Sequence, residues 1–416
     1  MTLVRIDGAR LWARLMEMAA IGATAKGGVC RIAFTDLDAQ ARALFADWAR
    51  AAGCTVRRDA FGNMFARRDG TDPGAKAVMI GSHLDSQPTG GRFDGVFGVL
   101  AGLEVVQAMA EAGLRPRAPV EVVNWTNEEG CIFRPMLGSA VWTGLVPLAE
   151  ALALRHDTEG WSIAEALARM GEAGEGQPLG PADVACYLEA HIEQGPVLEQ
   201  AGDWLGVVEA TQGQRWYDVE LQGREAHAGP TPMAARRDAL MGAARIALEV
   251  ERIALDNPPG CGTVGRMGVH PNSPNTIPGR VAFSADLRHP EAAVLDAMDV
   301  AFRRAAAAIA AGGGLTLEIA ERALIPPLDF AAPVVAALER AARASGHPWR
   351  RMFTGAGHDA CNIARFLPTA MLFVPCRDGI SHNEAEDAAP EHLAAGAQVL
   401  ADAVLALADT PAEAPA

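Results

Sequence analysis

The chain has 416 residues, of which 50% are hydrophobic, and its formal net charge is -15. This length predicts two domains, and the lack of an uninterrupted apolar run of about 18 residues predicts a soluble globular protein with no membrane-spanning segment. The acidic charge, together with the lack of a clustered Lys/Arg face, argues against a nucleic-acid-binding surface.

Cysteine usage and the N-terminus both indicate a cytoplasmic protein. The 7 cysteines are scattered singly, with no CxxC pair. Such a pattern predicts reduced thiols rather than a disulfide framework or a zinc finger. The first stretch, MTLVRIDGARLWARLMEM, carries charges where a signal peptide needs an apolar core. It therefore predicts an amphipathic helix and no export.

The part of the chain before residue 212 predicts helices alternating with strands. An amphipathic helix is predicted in TDLDAQARALFADWARAAG and a hairpin in CTVRRDAFGNMFARR. A second helix is predicted from Asp94 onward. Short apolar runs without alternation predict strands buried on both faces of a mixed or parallel sheet. These runs are Ala77–Ile80, VEVVNW and ACYLEA, and a fourth, TAMLFVPC, lies in the last segment of the chain.

The sequence pattern changes near residue 212. WYDVELQG alternates apolar and polar residues, as a strand with one solvent-exposed face does. GTVGRMGVH, VAFSADLRH and LTLEIAER predict three more strands. One helix is predicted before them, in MAARRDALMGAARIALEVERIAL from Met233, and one between the last two, in AVLDAMDVAFRRAAAAIAA. The order strand, helix, strand, strand, helix, strand is that of a ferredoxin-like α+β unit. We therefore predict an inserted domain over residues 212–327 and a catalytic domain made from residues 1–211 and 328–416. The Pro/Ala-rich tail of the latter is expected to fray.

Apolar strands of the first and last segments each lead to a group that can bind a metal or a proton. Because ligands bind at the carboxyl ends of strands in open α/β sheets, these separate stretches can converge on one place. Histidines and carboxylates suit Zn, Mn or Co, and a carboxylate has two oxygens with which to bridge two ions. The candidates are His83, Asp94, Glu128, Glu129, His191 and His382.

The adjacent Glu128 and Glu129 are the most informative pair. Successive side chains at a strand end point in different directions, so one carboxylate can bind metal while the other takes a proton from the attacking water and passes it to a leaving nitrogen. The predicted chemistry is hydrolysis of an amide-like bond. The alternative is structural, since buried His and Asp residues are often satisfied by neighbours and Glu pairs often lie on surfaces. Their position at the ends of buried runs favours the metal interpretation.

Three residues of the inserted block have two open interpretations. His227 and Asn275 follow strands in loops, and Arg288 ends VAFSADLRH. Each is either a turn or surface ion-pair residue, or a functional one. In the functional case His227 and Asn275 donate to a developing oxyanion, and Arg288 holds a substrate carboxylate through two contacts.

Motifs along nearly the whole chain resemble those of dinuclear metal-dependent amidohydrolases that cleave carbamoyl and ureido groups. These are the N-carbamoyl-L-amino acid hydrolases, β-ureidopropionases and allantoate amidohydrolases, of the hydantoinase/carbamoylase type. The motifs, in order, are GSHLDSQPTGGRFDG, NWTNEEG, EAHIEQGPVLE, GQRWY, REAHAGPTPM, NTIPG, ADLRHP, GAGHDA and ISHNEAE.

The resemblance implies a mixed-sheet α/β catalytic domain like that of the dinuclear zinc peptidases, and an inserted lid and dimerisation domain that makes a homodimer through residues 212–327. It implies two divalent ions per subunit, Zn²⁺ or Mn²⁺, Co²⁺ or Ni²⁺, with Asp94 bridging, Glu128 as general base and His227 as an oxyanion contact. The implied metal ligands are His83, Asp94, Glu129, His191 and His382. The implied substrate contacts are Gln194, Gln214, Arg215, Asn275, Arg288 and His358.

The implied activity is cleavage of the ureido C–N bond of an N-carbamoyl amino acid, giving the amino acid, ammonia and CO₂. The expected partner is thus a small molecule with ureido and carboxylate groups. Allantoate amidohydrolase and β-ureidopropionase are the alternatives within the family, and a non-catalytic sensor that retains the fold is the alternative from another class. The family commonly has an Arg-Phe segment after NEEG, whereas here a shorter Cys131–Pro135 stands there. This departure leaves the substrate open.

Overall fold

The computed structural model describes residues 4–177 and 179–409, so the predicted frayed tail lies largely outside the described residues. The chain divides into two compact units. The first contains the residues up to Glu209 and those from Phe330 onward, and the second is Ala210–Asp329.

The two units contain helices and strands in alternation. The helices are α1 Gly8–Ala20, α2 Asp36–Ala51, α3 Val96–Glu111, α4 Leu137–Trp142, α5 Leu148–Ala153, α6 Ile163–Met170, α7 Val197–Ala201, α8 Ala239–Leu255, α9 Ala292–Gly313, α10 Ala332–Ser345, α11 Asp359–Ile363 and α12 Pro390–Asp409. The strands are β1 Thr55–Arg58, β2 Met64–Arg68, β3 Ala77–His83, β4 Val120–Trp125, β5 Val184–Ile192, β6 Leu205–Thr211, β7 Gly213–Gln222, β8 Ala226–His227, β9 Cys261–Thr263, β10 Met267–His270, β11 Thr276–Ile277, β12 Arg280–His289, β13 Thr316–Ile325, β14 Leu328–Asp329, β15 Trp349–Thr354 and β16 Thr369–Val374.

A mixed sheet forms the centre of the first unit. Its strand order is β1-β2-β4-β3-β5-β16-β6, and β15 also pairs with β6. The neighbours β4, β3, β5 and β16 run parallel, while the strands on either side of them are antiparallel. Every residue of β3, β4 and β16 is buried, as the unalternated apolar runs predict. The fold is therefore a mixed α/β fold, and four parallel carboxyl ends meet at one edge of the sheet.

Helices cover this sheet and complete its core. α3 lies against β3 and β5, where a side chain at Gly98 would come within 2.3 Å of the Ala190 carbonyl oxygen. α12 is long and apolar enough to cross a membrane by composition, yet 61% of its apolar window is buried within the protein. It packs against α1, α3 and α10, so it is a core helix here.

Several predicted elements of the first unit are confirmed and others need correction. The hairpin is present, with Thr55 paired to Arg67 and Arg58 to Met64. Two predicted boundaries were wrong. α3 begins at Val96 rather than at Asp94, because Gly95 turns the chain with a φ of 68°, and β5 continues through His191 rather than ending before it.

The second unit has an antiparallel sheet with two helices on one face. Its main sheet has the order β10-β12-β7-β13, and β9 also pairs with β12. α8 and α9 pack on one side of the sheet, around a core that includes Tyr217, Phe283 and Phe302. The prediction of one strand in GTVGRMGVH was wrong, because β9 and β10 are separate. α8 also starts at Ala239, where the Asp238 carboxylate caps it, rather than at Met233.

Candidate metal centre

Parallel strands bring the predicted ligands to one edge of the first unit. His83 is the last residue of β3, and His191 is the penultimate residue of β5. Glu128 and Glu129 follow β4, and His382 follows β16. With Asp94, four of these residues form two groups, and the candidate ligand atoms within each group lie within 4.8 Å of one another. Glu128 belongs to neither group.

The first group contains His83, Asp94 and His191, all buried. The Oδ1 atom of Asp94 lies 3.8 Å from His83 Nε2 and 3.2 Å from His191 Nε2. His83 Nδ1 is 3.0 Å from the Asp85 carbonyl oxygen and His191 Nδ1 is 2.9 Å from that of Ile192. Because Nδ1 donates to a carbonyl in each ring, Nε2 is left with a lone pair for a metal.

The second group contains Asp94, Glu129 and His382. His382 Nε2 lies 3.4 Å from Asp94 Oδ2 and 3.3 Å from Glu129 Oε2. The His382 side chain is 52% exposed, so this group opens to solvent. The two oxygens of Asp94 thus face different groups, which is the arrangement that a bridging carboxylate requires.

Glu128 lies beside the first group without belonging to either. Its Oε2 atom is 3.5 Å from His83 Nε2, and the residue is buried. Burial, followed by the negative charges of Asp359 and Glu129, raises the pKa of Glu128 well above its usual value. Such a carboxyl group holds a proton more readily than a free glutamate, which suits a residue that takes up and returns a proton.

The electrostatics of the site fit bound divalent cations. Burial and the charge of Asp94 raise the pKa of Glu129 to about 8. Burial also opposes the charged form of Asp94, but the neighbouring imidazoles of His191 and His382 bring its pKa well below the usual value. Several buried carboxylates therefore crowd around a few imidazoles, and divalent cations would offset this concentration of negative charge. The oxygen and nitrogen donor set suits Zn, Mn or Co.

Gly95 makes the close approach of Asp94 to His83 possible. Its φ is 68°, and a Cβ atom there would lie 2.3 Å from the His83 ring. Only a residue without a side chain can occupy this place. The glycine turn therefore lets Asp94 lie beside the end of β3.

We expect Gly95→Ala to lower turnover by about 100-fold or more. The added methyl group would displace the His83 ring, and a displacement of about 1 Å in a catalytic site can have an effect of that size. The same change should lower the metal content measured by elemental analysis. Gly113→Ala is the matched control, because Gly113 has a φ of 64° and nothing within 4 Å of the added Cβ. If both variants behave alike, backbone strain rather than contact with His83 is responsible.

Three residues that the sequence analysis did not identify hold the site in place. Asp85 accepts the backbone N–H of Glu128 at 3.3 Å and that of Glu129 at 3.1 Å. Gln87 donates through Nε2 to Glu129 Oε2 at 2.8 Å. Glu386 accepts the backbone N–H groups of Phe93 and Asp94 at 2.9 and 3.2 Å. Asp85 and Gln87 follow His83 closely in SHLDSQ, and this proximity is the only sequence signal for them.

Two predicted substrate contacts lie in the same unit as the metal ligands. Gln194 donates through Nε2 to Asp94 Oδ2 at 3.0 Å, while its Oε1 atom is buried without a hydrogen-bond partner among the described residues. His358 is buried, with its ring centroid 4.5 Å from that of His191. His358, His191 and Glu189 form a third group of possible ligands. Glu189 is already hydrogen-bonded by Ser82 Oγ at 2.6 Å, which favours a supporting role.

The remaining predicted residues lie in the second unit. β8 and β11 pair His227 with Thr276, and Ala228 donates its N–H to the Asn275 carbonyl at 2.9 Å, so His227 and Asn275 are neighbours. Gly229 donates its N–H to His227 Nδ1 at 3.1 Å, which leaves the proton of the neutral ring on Nε2. His227 is therefore able to donate a hydrogen bond outward.

Arg288 and Gln214 are also neighbours, whereas Arg215 is engaged elsewhere. Arg288 pairs with Gln214 across β12 and β7, and its Nη2 lies 2.8 Å from Asp286. Arg215 binds Asp296 and Glu321, the latter at 2.8 Å, and its side chain is largely buried. These ion pairs favour a structural role for Arg215 over the predicted substrate contact.

The segment after Gly130 packs against aromatic residues of the first unit. Phe133 meets Phe34 edge-on at 5.7 Å and Trp161 at 5.9 Å between ring centroids. Cys131 Sγ lies 3.5 Å from the Ser86 carbonyl oxygen. The segment that differs from the family pattern thus belongs to an aromatic cluster, and the candidate ligands lie together beside it.

The mixed α/β fold and the histidine and carboxylate groups at its strand ends define a class of metal-dependent hydrolases. The chain belongs to the peptidase family M20/M25/M40, whose model matches residues 79–406. This membership agrees with the resemblance found in the sequence motifs.

Individual relatives cover nearly the whole chain. The chain is 45% identical to the N-carbamoyl-L-amino-acid amidohydrolase of Rhizobium meliloti, with 97% of each chain covered. It is 42% identical to the N-carbamoyl-L-amino acid amidohydrolase of Geobacillus stearothermophilus, with 97% of this chain and 99% of the relative covered. A crystal structure of an amidase of the hydantoinase/carbamoylase family from Burkholderia multivorans is 53% identical, with a TM-score of 0.95 and with 98% of this chain and 99% of that chain covered.

Proposed function

We propose that this chain hydrolyses the ureido C–N bond of N-carbamoyl-L-amino acids, using two divalent metal ions, and gives the amino acid, ammonia and CO₂. The observation that carries the proposal is that Asp94 belongs to both ligand groups, with one carboxylate oxygen facing each group. The buried Glu128 lies beside the first of these groups. The names of the relatives support the substrate class.

Two ligand sets follow from this geometry. His83 and His191 would hold one ion and Glu129 and His382 the other, with Asp94 common to both. Bound divalent cations supply Lewis acidity, polarising the ureido carbonyl and making water a better nucleophile. The donor set accepts Zn, Mn, Co or Ni. Elemental analysis of the purified protein identifies which of them is the native metal.

Glu128 would act as the general base and then as the acid. Its Oε2 atom lies 3.5 Å from His83 Nε2, but the residue belongs to neither of the two ligand groups. It would take the proton of the attacking water and return it to the leaving nitrogen, a contribution of about 10²- to 10⁴-fold in rate. The buried Oε1 of Gln194 supports a contact with a ureido N–H group, because it lacks a partner among the described residues.

Residues of the second unit would complete the reaction. The outward Nε2–H of His227 and the neighbouring Asn275 amide suit a developing oxyanion, and Arg288 suits the substrate carboxylate. These roles support the proposal that residues 212–327 form a lid that closes over the substrate.

The second unit also has a surface suited to a homodimer. Met241, Leu248 and Leu255 recur at seven-residue intervals along α8 and are 47%, 64% and 74% exposed. An apolar stripe of this kind on one helix supports contact with a second copy of the chain. We therefore propose dimerisation through this unit, which size-exclusion chromatography with light scattering tests directly.

A turnover screen tests the proposed activity. The metal-reconstituted protein is assayed for ammonia release from N-carbamoyl-L-α-amino acids, N-carbamoyl-β-alanine and allantoate. Turnover of the first class is expected, whereas preferential turnover of either other substrate would replace the proposal with β-ureidopropionase or allantoate amidohydrolase activity. Saturable binding of an N-carbamoyl amino acid without any turnover would favour the non-catalytic sensor.

A further inference from the structure

The open face of the second unit's sheet contains a cavity that no proposed role yet explains. Its volume is about 450 Å³, and it lies over β7 and β12, on the side away from α8 and α9. Two irregularities in the neighbouring strands form the sides of the cavity. The break between β9 and β10 places Gly265 and Arg266 along one side, and a bulge in β13 between Glu321 and Ala323 places Arg322 on the other.

The register of the strands orders the floor of the cavity into three rows. Arg288 pairs with Gln214, Asp286 with Trp216, and Ser284 with Asp218. Paired residues of one face lie side by side, and successive rows are about 7 Å apart. Trp216 therefore lies one row from Arg288 on the same face of the sheet.

Trp216 is a large apolar side chain on the floor of a cavity that is otherwise lined mainly by polar residues. Its side chain is 44% exposed, although the other aromatic residue of β7, Tyr217, is buried against the helices. An exposed indole beside a guanidinium is a surface on which a planar apolar group can stack. At the far row Asp218 pairs with Arg266 at 2.8 Å and with Arg322 at 3.4 Å, so charges close that end of the cavity.

The charged residues lining the cavity are three arginines and two aspartates. Arg288 pairs with Asp286 at one end, while Arg266 and Arg322 share Asp218 at the other. A guanidinium one row from an exposed indole fits a ligand that has an aromatic group next to its carboxylate.

We propose that this cavity receives the side chain of the substrate and selects N-carbamoyl-L-amino acids with aromatic side chains. Arg288 holds the α-carboxylate, and the side chain lies over the indole of Trp216, one row away. Trp216 is thus a specificity-determining residue. This inference rests on the proposed function, because it assigns to the proposed substrate the position of its carboxylate and side chain.

Kinetics with two substrates test the assignment on the metal-reconstituted enzyme. kcat/KM is measured for N-carbamoyl-L-phenylalanine and for N-carbamoylglycine, which has no side chain. We expect the wild type to prefer the phenylalanine derivative. Trp216→Ala should lower kcat/KM for that substrate by about tenfold, through KM, and change the value for the glycine derivative less than twofold. Trp216→Phe should retain most of the preference.

Phe366→Ala is the matched control, since Phe366 is an aromatic residue of similar exposure, 47%, in the first unit. It should leave both substrates unchanged. Equal losses for both substrates in Trp216→Ala, or no loss for the phenylalanine derivative, would overturn the inference and leave the proposed function standing.

A binding measurement without catalysis separates the inference from the activity. Calorimetric titration of the metal-free protein with 3-phenylpropanoate, which has the carboxylate and the ring but no ureido group, should show binding that Trp216→Ala weakens about tenfold. Absence of this binding would contradict the cavity assignment. If it binds in a Trp216-dependent manner while no N-carbamoyl amino acid is turned over, the proposed function fails and the aromatic anion site remains.

Discussion

Glu128→Gln should lower turnover by about 10²- to 10⁴-fold while the protein keeps its full metal content. The amide has nearly the shape of the carboxyl group, so the neighbouring His83, 3.5 Å away, is not displaced. It cannot take a proton from water at neutral pH, and the proton transfer is therefore lost. Initial rates of ammonia release and elemental analysis of the same preparation measure the two effects separately.

Glu129→Gln is the matched control, because it makes the same chemical change one residue along. Glu129 Oε2 lies 3.3 Å from His382 Nε2 and accepts a hydrogen bond from Gln87. The loss of its charge should lower metal content as well as turnover, since a neutral amide is a weaker ligand. The assigned roles are wrong if Glu128→Gln loses metal and Glu129→Gln keeps it.

Sequence patterns were enough to predict the strands that carry these residues. The apolar runs ending near His83 and before Glu128 have no polar alternation, which predicts strands in the interior of a sheet. Parallel neighbours in such a sheet end at one edge, and so the convergence of the candidate ligands follows from the sequence pattern alone. The resemblance to known motifs added what periodicity does not, namely which of the two adjacent glutamates binds metal.

Residues that support the site could not be predicted because their partners are distant in the sequence. Glu386 accepts the N–H of Asp94 across 292 positions, and nothing local in NEAED indicates such a contact. The tertiary packing also determines backbone conformations that local propensity disfavours. Gln194 and His382 have φ values of 58° and 52°, a conformation that costs energy in residues with side chains and persists where the surrounding structure holds it.

The second unit shows a different limit of sequence patterns. GTVGRMGVH alternates well enough to predict one strand, but the chain leaves the sheet between Thr263 and Met267 and returns to the same neighbour, β12. The bulge at Arg322 likewise has no signal in LTLEIAER. Both irregularities line the cavity above Trp216, so the features that shape it are those that a period-two pattern cannot reveal.

Asp94→Asn should lower affinity for both ions by more than about 100-fold, beyond the 10- to 100-fold that is typical for residues supporting a ligand. Asp94 is the only residue common to the two main ligand groups, with Oδ1 3.2 Å from His191 Nε2 and Oδ2 3.4 Å from His382 Nε2. An asparagine offers one neutral oxygen in place of two that share a negative charge. Metal content after dialysis against a defined free-ion concentration measures the loss.

Thermal unfolding gives an independent measure of the same change. A ligand that binds only the folded state stabilises it by about 2.7 kcal/mol at 100 times its Kd, so adding metal to the metal-free wild type should raise Tm by several degrees. Asp94→Asn should lose most of this increase. Asp59→Asn is the control, since Asp59 is also a buried carboxylate but binds the backbone N–H groups of Phe61 and Asn63 in the hairpin. It should lower Tm with and without metal and preserve the increase. A metal-dependent increase of wild-type size in Asp94→Asn would mean that neither ion depends on this carboxylate, because a bridging ligand cannot be removed without weakening both of the sites that it joins.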